Sequence, residues 1–280
     1  MVIALRRDLP RSEFHYWFIV KENHLASSDE IFTCSRYASA NGWTPSSLHV
    51  IRETTLTLSV NGFDWISFQC TPHEQIELAC GFLFNEGVIE RKEEIADAQL
   101  CPDGSRLDLW LTHSAARPDH WKRTSGCGGG ATHQDAPLPS LPWRDEPALK
   151  PEKILALMDA LLEGQALYRE TGGIHSAALS NGQQIYHLSE DIGRHNTLDK
   201  LAGFLLLNPI ILERRILLTT GRISSEMLQK AARIGTELII SRTSPTSESI
   251  RLADEAGITL AGYARHAQMI VYTHAGRLGG

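Results

Sequence analysis

Apolar and polar positions alternate in the first organised part of the chain, which starts near Glu53. Residues 55–60 alternate leucine or valine with threonine or serine, and residues 63–69 resume a strand-like pattern. Asn61 and Gly62 separate the two runs, and this dipeptide favours the tight turn in which both central residues have positive φ. The pattern therefore predicts a β-hairpin.

A helical period follows directly, in the stretch TPHEQIELACGFLFNEG. Thr71 can accept a hydrogen bond at the N-cap, Glu74 can complete a capping box, and Gly87 can end the helix. A buried stripe at spacings of three and four residues consists of Ile76, Ala79, Cys80 and Leu83. We therefore expect Cys80 in the core, together with Cys70 at the end of the preceding strand.

The second half of the chain alternates helical and strand-like segments. A proline-rich stretch at 136–147 has no period and is typical of a linker, and the apolar spacing from Ile154 to Leu161 predicts a helix after it. Short apolar strands then alternate with helical stretches, in the order IHSAAL, QIYHL, RILLTT, ELIIS and GITLAGY. This alternation predicts an α/β layer structure with a largely parallel sheet.

These patterns divide the chain into four parts. Residues 1–48 show no clear period, and we treat them as a weakly constrained lead-in. The smaller part with the β-hairpin and helix covers 49–135, the linker covers 136–150, and the larger α/β part covers 151–280. We expect the terminal LGG to be a frayed tail, since chain ends often lack regular structure.

Composition narrows the class of protein. The 280 residues are 42% hydrophobic, enough for a core, and no apolar run approaches the roughly 18 residues that span a bilayer. The formal net charge of −6 argues against general nucleic-acid binding. The five cysteines are widely spaced and include no C-x-x-C pair, which suits a reducing compartment better than a disulfide framework or a zinc knuckle. We expect a soluble cytoplasmic protein without a metal of its own.

Five polar clusters lie at the ends of predicted strands, where α/β folds place their ligands. The clusters are TGGIHSAAL, EDIGRHNTLDK, TTGRISSEM, SRTSPTS and LAGYARHAQ. Arginines beside helix starts favour a phosphate or pyrophosphate, because free backbone N–H groups already attract an anion there. Helix capping or a structural histidine would explain any single cluster, but the recurrence favours ligand binding. The candidate binding residues in the first four clusters are Gly173, His175, Arg194, His195, Gly221, Arg222, Ser224 and Arg242, with Asp199 as a further positioning group.

The stretch TSGCGGG places Cys127 among glycines. A cysteine in a core is surrounded by apolar residues, which Cys127 lacks. The alternatives are a thiol that happens to lie in a flexible loop and a reactive thiolate. Lys122, Arg123 and His133 favour the thiolate, which is the reactive form.

Taken together, these segments resemble the formate dehydrogenase accessory sulfurtransferases, the FdhD or FdhD/NarQ family. The resemblance runs from about Glu53 to His274. It includes, in the family's order, ETTLTLSVNG, TPHEQIELACGFLFNEGVI, SGCGGG, TGGIHSAAL, EDIGRHNTLDKLAG, TTGRISSEMLQKAARIGTELIISRTSPTS and GITLAGYARHAQMIVYTH. Strings of this length make coincidence improbable.

The resemblance implies a fold, a cargo and a set of partners. The fold would be a cytidine-deaminase-like three-layer α/β/α domain with a smaller β-containing domain, usually in a homodimer. A cysteine desulfurase would form a persulfide on Cys127, and the sulfur would pass to the bis(molybdopterin guanine dinucleotide) molybdenum cofactor that formate dehydrogenase needs. The cofactor-binding segment would be LAGYAR, which comprises Leu260, Ala261, Gly262, Tyr263, Ala264 and Arg265.

One departure from the family's pattern bears on mechanism. Many members carry C-G-x-C-G in the loop, whereas Gly130 stands here at the second cysteine position. This puts a relay between two loop thiols in doubt, although one thiolate can accept sulfur from a donor and yield it to an acceptor.

Three other functions are alternatives to sulfur transfer. Zinc-dependent deamination is excluded, because the chain lacks H-x-E and P-C-x-x-C. A non-catalytic chaperone that binds the molybdenum cofactor stays open, as does a nucleotide-handling enzyme of another type built from the Ser, His and Asp residues of the second half.

Overall fold

The computed structural model describes residues 28–117, 149–208 and 210–279, together with the backbone of 122–123 and 131–132. Cys127, His133, Gly130 and the 136–147 stretch therefore lie outside the described residues. Within the described ranges, no helix is both long and apolar enough to cross a membrane.

The chain begins with a two-stranded antiparallel ribbon, β1 (Asp29–Ala38) and β2 (Gly42–Ile51). The sequence pattern does not predict these strands, because neither face of the ribbon is buried and no alternation is therefore imposed on its sequence. Large apolar side chains are exposed along it, namely Ile31, Phe32, Tyr37, Trp43, Leu48 and Val50.

A four-stranded sheet follows, in the order β4-β3-β6-β5. Its strands are β3 (Thr54–Val60), β4 (Phe63–Cys70), β5 (Ile95–Leu100) and β6 (Arg106–Leu111), and a short 3₁₀ helix, Lys92–Glu94, precedes β5. Asn61 and Gly62 have φ of 51° and 86°, so the predicted hairpin between β3 and β4 is confirmed.

Helix α1 (Gln75–Asn85) covers the core of this sheet, and Cys70 and Cys80 are buried there as predicted. The predicted N-cap is wrong. The helix starts after Glu74, whose φ of 52° is left-handed, while the Thr71 hydroxyl accepts a 2.8 Å hydrogen bond from Lys200. The Thr71 hydroxyl therefore binds the buried ammonium of Lys200 and does not cap the helix.

Two short strands precede and follow the glycine-rich stretch of the sequence. β7 (Lys122–Arg123) and β8 (Ala131–Thr132) pair antiparallel, with Arg123 opposite Ala131. Residues 124–130 connect them.

The larger sheet has six strands in the order β10-β9-β11-β12-β13-β14. The strands are β9 (His175–Ser180), β10 (Ile185–Asp191), β11 (Ile216–Thr219), β12 (Leu238–Ser241), β13 (Thr259–Arg265) and β14 (Gln268–Val271). The helices are α2 (Pro151–Gly164), α3 (Ala166–Thr171), α4 (Arg194–Leu207), α5 (Ser225–Ile234) and α6 (Ser247–Glu255), followed by a 3₁₀ turn, Ala275–Leu278.

The prediction of a largely parallel sheet is wrong. β11 pairs in parallel with β12, and β12 with β13, but the other three pairings are antiparallel. Tight turns join β9 to β10 and β13 to β14, and strands connected this way must run in opposite directions.

Side chains alternate between the two faces of the larger sheet. Ala177 and Leu179 pack with α4, α5 and α6, whereas Ala178 between them packs with α2 on the opposite face. This gives three layers, helix, sheet and helix, and confirms the α/β class.

The two sheets are joined through a close crossing of α1 and α4. A β-carbon built at Gly81 would lie 1.7 Å from the carbonyl oxygen of Asp199, and one at Gly203 would lie 1.9 Å from that of Glu77. Only glycine at both positions lets the two backbones approach this closely.

Candidate functional site

The five polar clusters meet along one edge of the larger sheet. β10 and β11 both run antiparallel to β9, so β10 to β13 end at the edge where β9 begins. We call this the carboxyl edge, and it comprises residues 172–176, 190–195, 219–225, 241–246 and 262–265. Neighbouring segments are joined by backbone hydrogen bonds from Thr220 to Ser176 at 3.0 Å, Arg242 to Thr219 at 3.0 Å and Tyr263 to Thr243 at 2.9 Å.

Three helices begin at this edge, since α4, α5 and α6 follow β10, β11 and β12. Ser224 caps α5 by accepting from Met227 N at 3.5 Å, and Thr246 caps α6 by accepting from Ser249 N at 3.2 Å. Helix N-termini carry partial positive charge and free N–H groups, so the convergence of three of them favours an anion.

Arginines reinforce this positive edge. Arg222, Arg242 and Arg265 are exposed, and Arg194 is half-buried against Gly221. A β-carbon at Gly221 would lie 3.0 Å from the β-carbon of Arg194, so the glycine makes room for that side chain. The sequence-predicted arginines are therefore brought together with the predicted helix starts.

The LAGYAR segment is divided between the core and the edge. The side chains of Leu260, Ala261 and Ala264 are buried among apolar neighbours, so they are not available to a ligand. Tyr263 and Arg265 are exposed, with the guanidinium 5.9 Å from the ring centroid and Tyr263 held at φ 54°. Leu260 and Ala261 are buried on opposite faces of the sheet, both of which are covered by helices, and exposure alternates only from Tyr263 to Arg265, after the register of β13 shifts. Gly262 is buried, and a β-carbon there would lie 2.8 Å from the carbonyl oxygen of Thr243.

The start of β9 places two further predicted residues at the edge. Gly173 is exposed and lies next to the ribbon, where an added β-carbon would meet Ile51 Cγ2 at 3.5 Å. His175 is half-buried, and burial together with the charge of Arg194 lowers its pKa, which Asp191 partly offsets.

His195, in the first turn of α4, is 5% exposed, and its Nε2 has no hydrogen-bond partner among the described residues. Nε2 lies 3.9 Å from Glu226 Oε2, which accepts a 2.7 Å hydrogen bond from Ser224. Burial, assisted by the charges of Lys230 and Arg194, lowers the pKa of His195 to about 2. The imidazole is therefore neutral. Sequence reasoning missed Glu226, although a carboxylate following two serines at a helix start was a visible signal.

The side chains of two members of the second cluster, Asp191 and Lys200, are buried beneath the carboxyl edge. Lys200 Nζ lies 2.7 Å from Asp191 Oδ2, and both side chains are fully buried. Asp191 Oδ1 accepts from Gly193 N at 2.9 Å and Asn196 Nδ2 at 2.8 Å, which fixes the start of α4.

The proposed role of Asp199 as a positioning group for a ligand is not supported by its place in the fold. It is buried and 2.5 Å from Lys230, and it accepts from Asn85 at 2.8 Å. Burial raises the pKa of Asp199, against the lowering effect of Lys230. Asp199 joins α4 to α5 and α1.

The four described cysteines, Cys34, Cys70, Cys80 and Cys101, are all free. Burial, together with the charge of Asp191, raises the pKa of Cys70 to about 12, and burial also raises that of Cys80. Cys101 Sγ donates a hydrogen bond to Asp103 Oδ1 at 2.8 Å. Cys70 and Cys80 are thus poor sources of a thiolate.

Comparison with known proteins decides the family. The model of the FdhD/NarQ family matches residues 51–279. The chain belongs to the FdhD/NarQ family.

Relatives support the FdhD/NarQ assignment over most of their length. The sulfur carrier protein FdhD of Bacillus subtilis (strain 168) is 36% identical over 236 residues, which is 82% of this chain and 90% of that protein. The protein of the same name from Staphylococcus haemolyticus is 37% identical over 235 residues, or 81% and 89%.

A solved structure supports the same assignment. A crystal structure from Desulfotalea psychrophila, described as a proposed formate dehydrogenase accessory protein, superposes with a TM-score of 0.72 at 28% identity. The match covers 89% of this chain and 99% of that one. The FdhD/NarQ match includes Cys127 and the whole carboxyl edge, whereas β1 and nearly all of β2 precede it.

Proposed function

We propose that this FdhD/NarQ protein is a sulfurtransferase in which Cys127 carries sulfur from a cysteine desulfurase to the bis(molybdopterin guanine dinucleotide) molybdenum cofactor of formate dehydrogenase. The observation that carries the proposal is the carboxyl edge, where three helix N-termini and four arginines meet. The relatives are named sulfur carrier proteins, which supports sulfur transfer as the reaction.

Sulfur loading needs one thiolate. The Cys127 thiolate would attack the outer sulfur of the desulfurase persulfide, forming a new S–S bond while the donor's S–S bond breaks and its cysteine leaves as a thiolate. Among the described cysteines, burial holds Cys70 and Cys80 as thiols, which supports Cys127 in the glycine-rich stretch as the carrier.

The carboxyl edge would hold the cargo. Arg222, Arg242 and Arg265 are exposed cations beside the starts of α5 and α6 and the end of β13, a setting suited to the pyrophosphate of a guanine dinucleotide. The cofactor is a substrate in this proposal, bound while its metal receives the sulfur.

A persulfide assay tests the carrier step. The full chain is incubated with a cysteine desulfurase and cysteine, and the peptide containing Cys127 should gain the mass of one sulfur atom. Cys127→Ala should abolish labelling, while Cys101→Ser, which removes a described thiol of the same chain, should leave it unchanged. Labelling of other cysteines with none on Cys127 contradicts the proposal.

Complementation separates the carrier from a chaperone. In a strain lacking its FdhD protein, Cys127→Ala should fail to restore formate dehydrogenase activity, and Cys101→Ser should restore it. Full restoration by Cys127→Ala would instead support a non-catalytic cofactor-binding chaperone.

Nucleotide binding tests the cargo site. GDP binding, measured by isothermal titration calorimetry, should weaken about 10-fold or more in Arg222→Ala and Arg242→Ala, since charge-assisted hydrogen bonds are lost. Arg91→Ala is a matched control, because Arg91 is an exposed arginine beside the four-stranded sheet. Equal GDP affinities in all three variants and the wild type would contradict the proposed cargo site.

We also propose a cytoplasmic homodimer. The four free cysteines support a reducing compartment. The exposed apolar side chains of β1 and β2 support association, because a lone two-stranded ribbon is marginally stable in water. Sedimentation velocity should report a dimer for the wild type and a shift toward monomer for Trp43→Ser. A monomeric wild type contradicts this part of the proposal.

A further inference from the structure

A cavity of about 380 Å³ lies at the ends of α4 and α5 that are remote from the carboxyl edge. Helix α4 starts at the carboxyl edge and is 14 residues long, so its two ends are separated by about 20 Å. The volume of the cavity is within the roughly 300–1,000 Å³ that small-molecule sites occupy. The cavity is therefore large enough for a ligand and separate from the proposed cargo site.

One wall of the cavity is apolar. It consists of Phe84, Ala202, Leu205, Leu206 and Ile234, from the C-terminal halves of α1, α4 and α5. Phe84, Leu205 and Leu206 are half-buried, so each keeps part of its apolar surface in contact with solvent. A ligand with an apolar body would remove this surface from water, which is favourable.

A second wall of the cavity is charged and precedes β5 of the four-stranded sheet. Arg91 and Lys92 contribute cations to it, and Glu90 and Glu93 contribute carboxylates. Glu94 Oε1 accepts hydrogen bonds from the backbone N–H groups of Glu90 at 3.0 Å and Arg91 at 2.9 Å. These two bonds fix the turn, so this wall is already formed without a ligand.

The helix ends at the cavity bear on the charge of its ligand. Helices α1 and α5 both end there, and the carbonyl groups of a helix C-terminus normally attract a cation. Arg233 Nε donates to the carbonyl oxygen of Phe84 at 3.2 Å, and Arg215 donates to the carbonyl oxygen of Ile234. The protein's own arginines therefore neutralise both helix ends.

The remaining charge favours an anion. Arg215 lines the cavity as well, so the lining contains three cations, Arg91, Lys92 and Arg215, and only two carboxylates. Cations beside an apolar wall suit a ligand that combines an acid group with an apolar body.

We infer that this cavity binds a small amphipathic anion, whose aromatic or branched aliphatic body packs against Phe84, Leu205 and Leu206 and whose acid group lies beside Lys92 and Arg215. The binding site is formed jointly by the four-stranded part and the larger α/β part of the chain. The inference does not depend on the proposed function, because it uses none of the residues of the carboxyl edge.

Two matched probes test the inference. The first is 8-anilinonaphthalene-1-sulfonate, an aromatic anion that fluoresces in apolar surroundings, and the second is N-phenyl-1-naphthylamine, which has the same rings without the sulfonate. Fluorescence titration of the full chain should show saturable binding of both. The sulfonate should bind about 10-fold more tightly, the effect expected of one charge-assisted hydrogen bond.

Three variants locate the binding site. Lys92→Ala should weaken sulfonate binding about 10-fold and leave amine binding unchanged. Lys153→Ala is the matched control and should change neither, because Lys153 is an exposed lysine on α2, on the opposite face of the larger sheet. Leu206→Trp should weaken binding of both probes, because the larger side chain fills the cavity, and urea unfolding should show that this variant is folded.

The opposite results overturn the inference. Equal affinities for the two probes in the wild type, or unchanged sulfonate binding in Lys92→Ala, would contradict an anion site in the cavity. Sulfonate binding that is lost in Trp43→Ser but kept in Leu206→Trp would place the probe on the ribbon of β1 and β2. Displacement of the sulfonate by GDP would place the probe at the carboxyl edge, whereas failure of the wild type to bind GDP would contradict the cargo site alone.

Discussion

The ammonium of Lys200 lies 2.7 Å from Asp191 Oδ2 in a region closed to solvent. Lys200 also donates to Thr71 Oγ1 at 2.8 Å and to the carbonyl oxygen of Glu190 at 2.9 Å. Thr71 follows β4, an edge strand of the four-stranded sheet, Asp191 ends β10, and Lys200 lies on α4. One buried ion pair therefore joins both sheets directly beneath the carboxyl edge.

Removing one partner of this ion pair should lower the free energy of unfolding strongly. Lys200→Met leaves Asp191 buried without its cation, and we expect a loss of about 3–5 kcal/mol in the free energy of unfolding, measured by urea denaturation. Lys200→Met combined with Asp191→Asn should recover part of the loss. Arg106→Ala is the control, because its pairs with Asp64 and Asp108 are solvent-exposed and should contribute little to the free energy of unfolding. A similar loss in both single variants would contradict the assignment.

The crossing of α1 and α4 should not tolerate a methyl group. Gly81→Ala places a β-carbon 1.7 Å from a backbone oxygen, so the helices must separate. We expect a loss of about 1–3 kcal/mol or more, measured by urea or thermal unfolding. Gly164→Ala is the comparison, since its β-carbon would meet only Leu188 Cδ1, at 3.1 Å, at the end of a helix. That variant should be neutral or slightly stabilising, and a stable Gly81→Ala would show that the crossing can relax.

His195 should make the protein less stable in mild acid. Its pKa is lowered to about 2 in the folded state, against an ordinary value of 6.5, so below pH 6.5 the unfolded chain binds the extra proton. Stability is complete above pH 6.5 and falls with decreasing pH, by at most about 1.4 kcal/mol per pH unit from this group. In His195→Gln, the free energy of unfolding, measured with urea, should change less between pH 6.5 and 4.5 than it does in the wild type. Parallel profiles for variant and wild type would show that the imidazole is solvated.

Glu74 should stabilise the fold at neutral pH and lose this effect in acid, whereas a buried carboxyl without partners would destabilise the fold at neutral pH. Burial raises its pKa, but the hydrogen bond from His187, with help from Lys200, outweighs burial and lowers the pKa below 4.5. Its contribution is present above pH 4.5 and is lost as the pH falls through the lowered pKa. Glu74→Gln should therefore cost about 1.5–3 kcal/mol at pH 7 and progressively less below pH 4.5. A difference in unfolding free energy between Glu74→Gln and the wild type that stays constant at all pH values would contradict this account.

Local patterns predicted much of the fold and part of the site. The Asn61–Gly62 turn, the first five strands of the larger sheet and the burial of Cys70 and Cys80 follow from short-range chemistry, so the sequence was sufficient for them, whereas β14 was not predicted. The direction of β9, the role of Thr71 and the burial of Asp191 and Lys200 depend on contacts between residues far apart in the chain, which no local period encodes. The ribbon of β1 and β2 was missed because neither of its faces packs against a core.

The direction of β9 determines which residues lie at the carboxyl edge, where we propose that the cargo binds. β9 is six residues long, so its ends are separated by about 20 Å. Had it run parallel to β11, Gly173 and His175 would open onto the far side of the sheet. Reversal of this single strand brings both residues to the same side of the sheet as the starts of α4, α5 and α6, and so adds a fifth segment to the carboxyl edge.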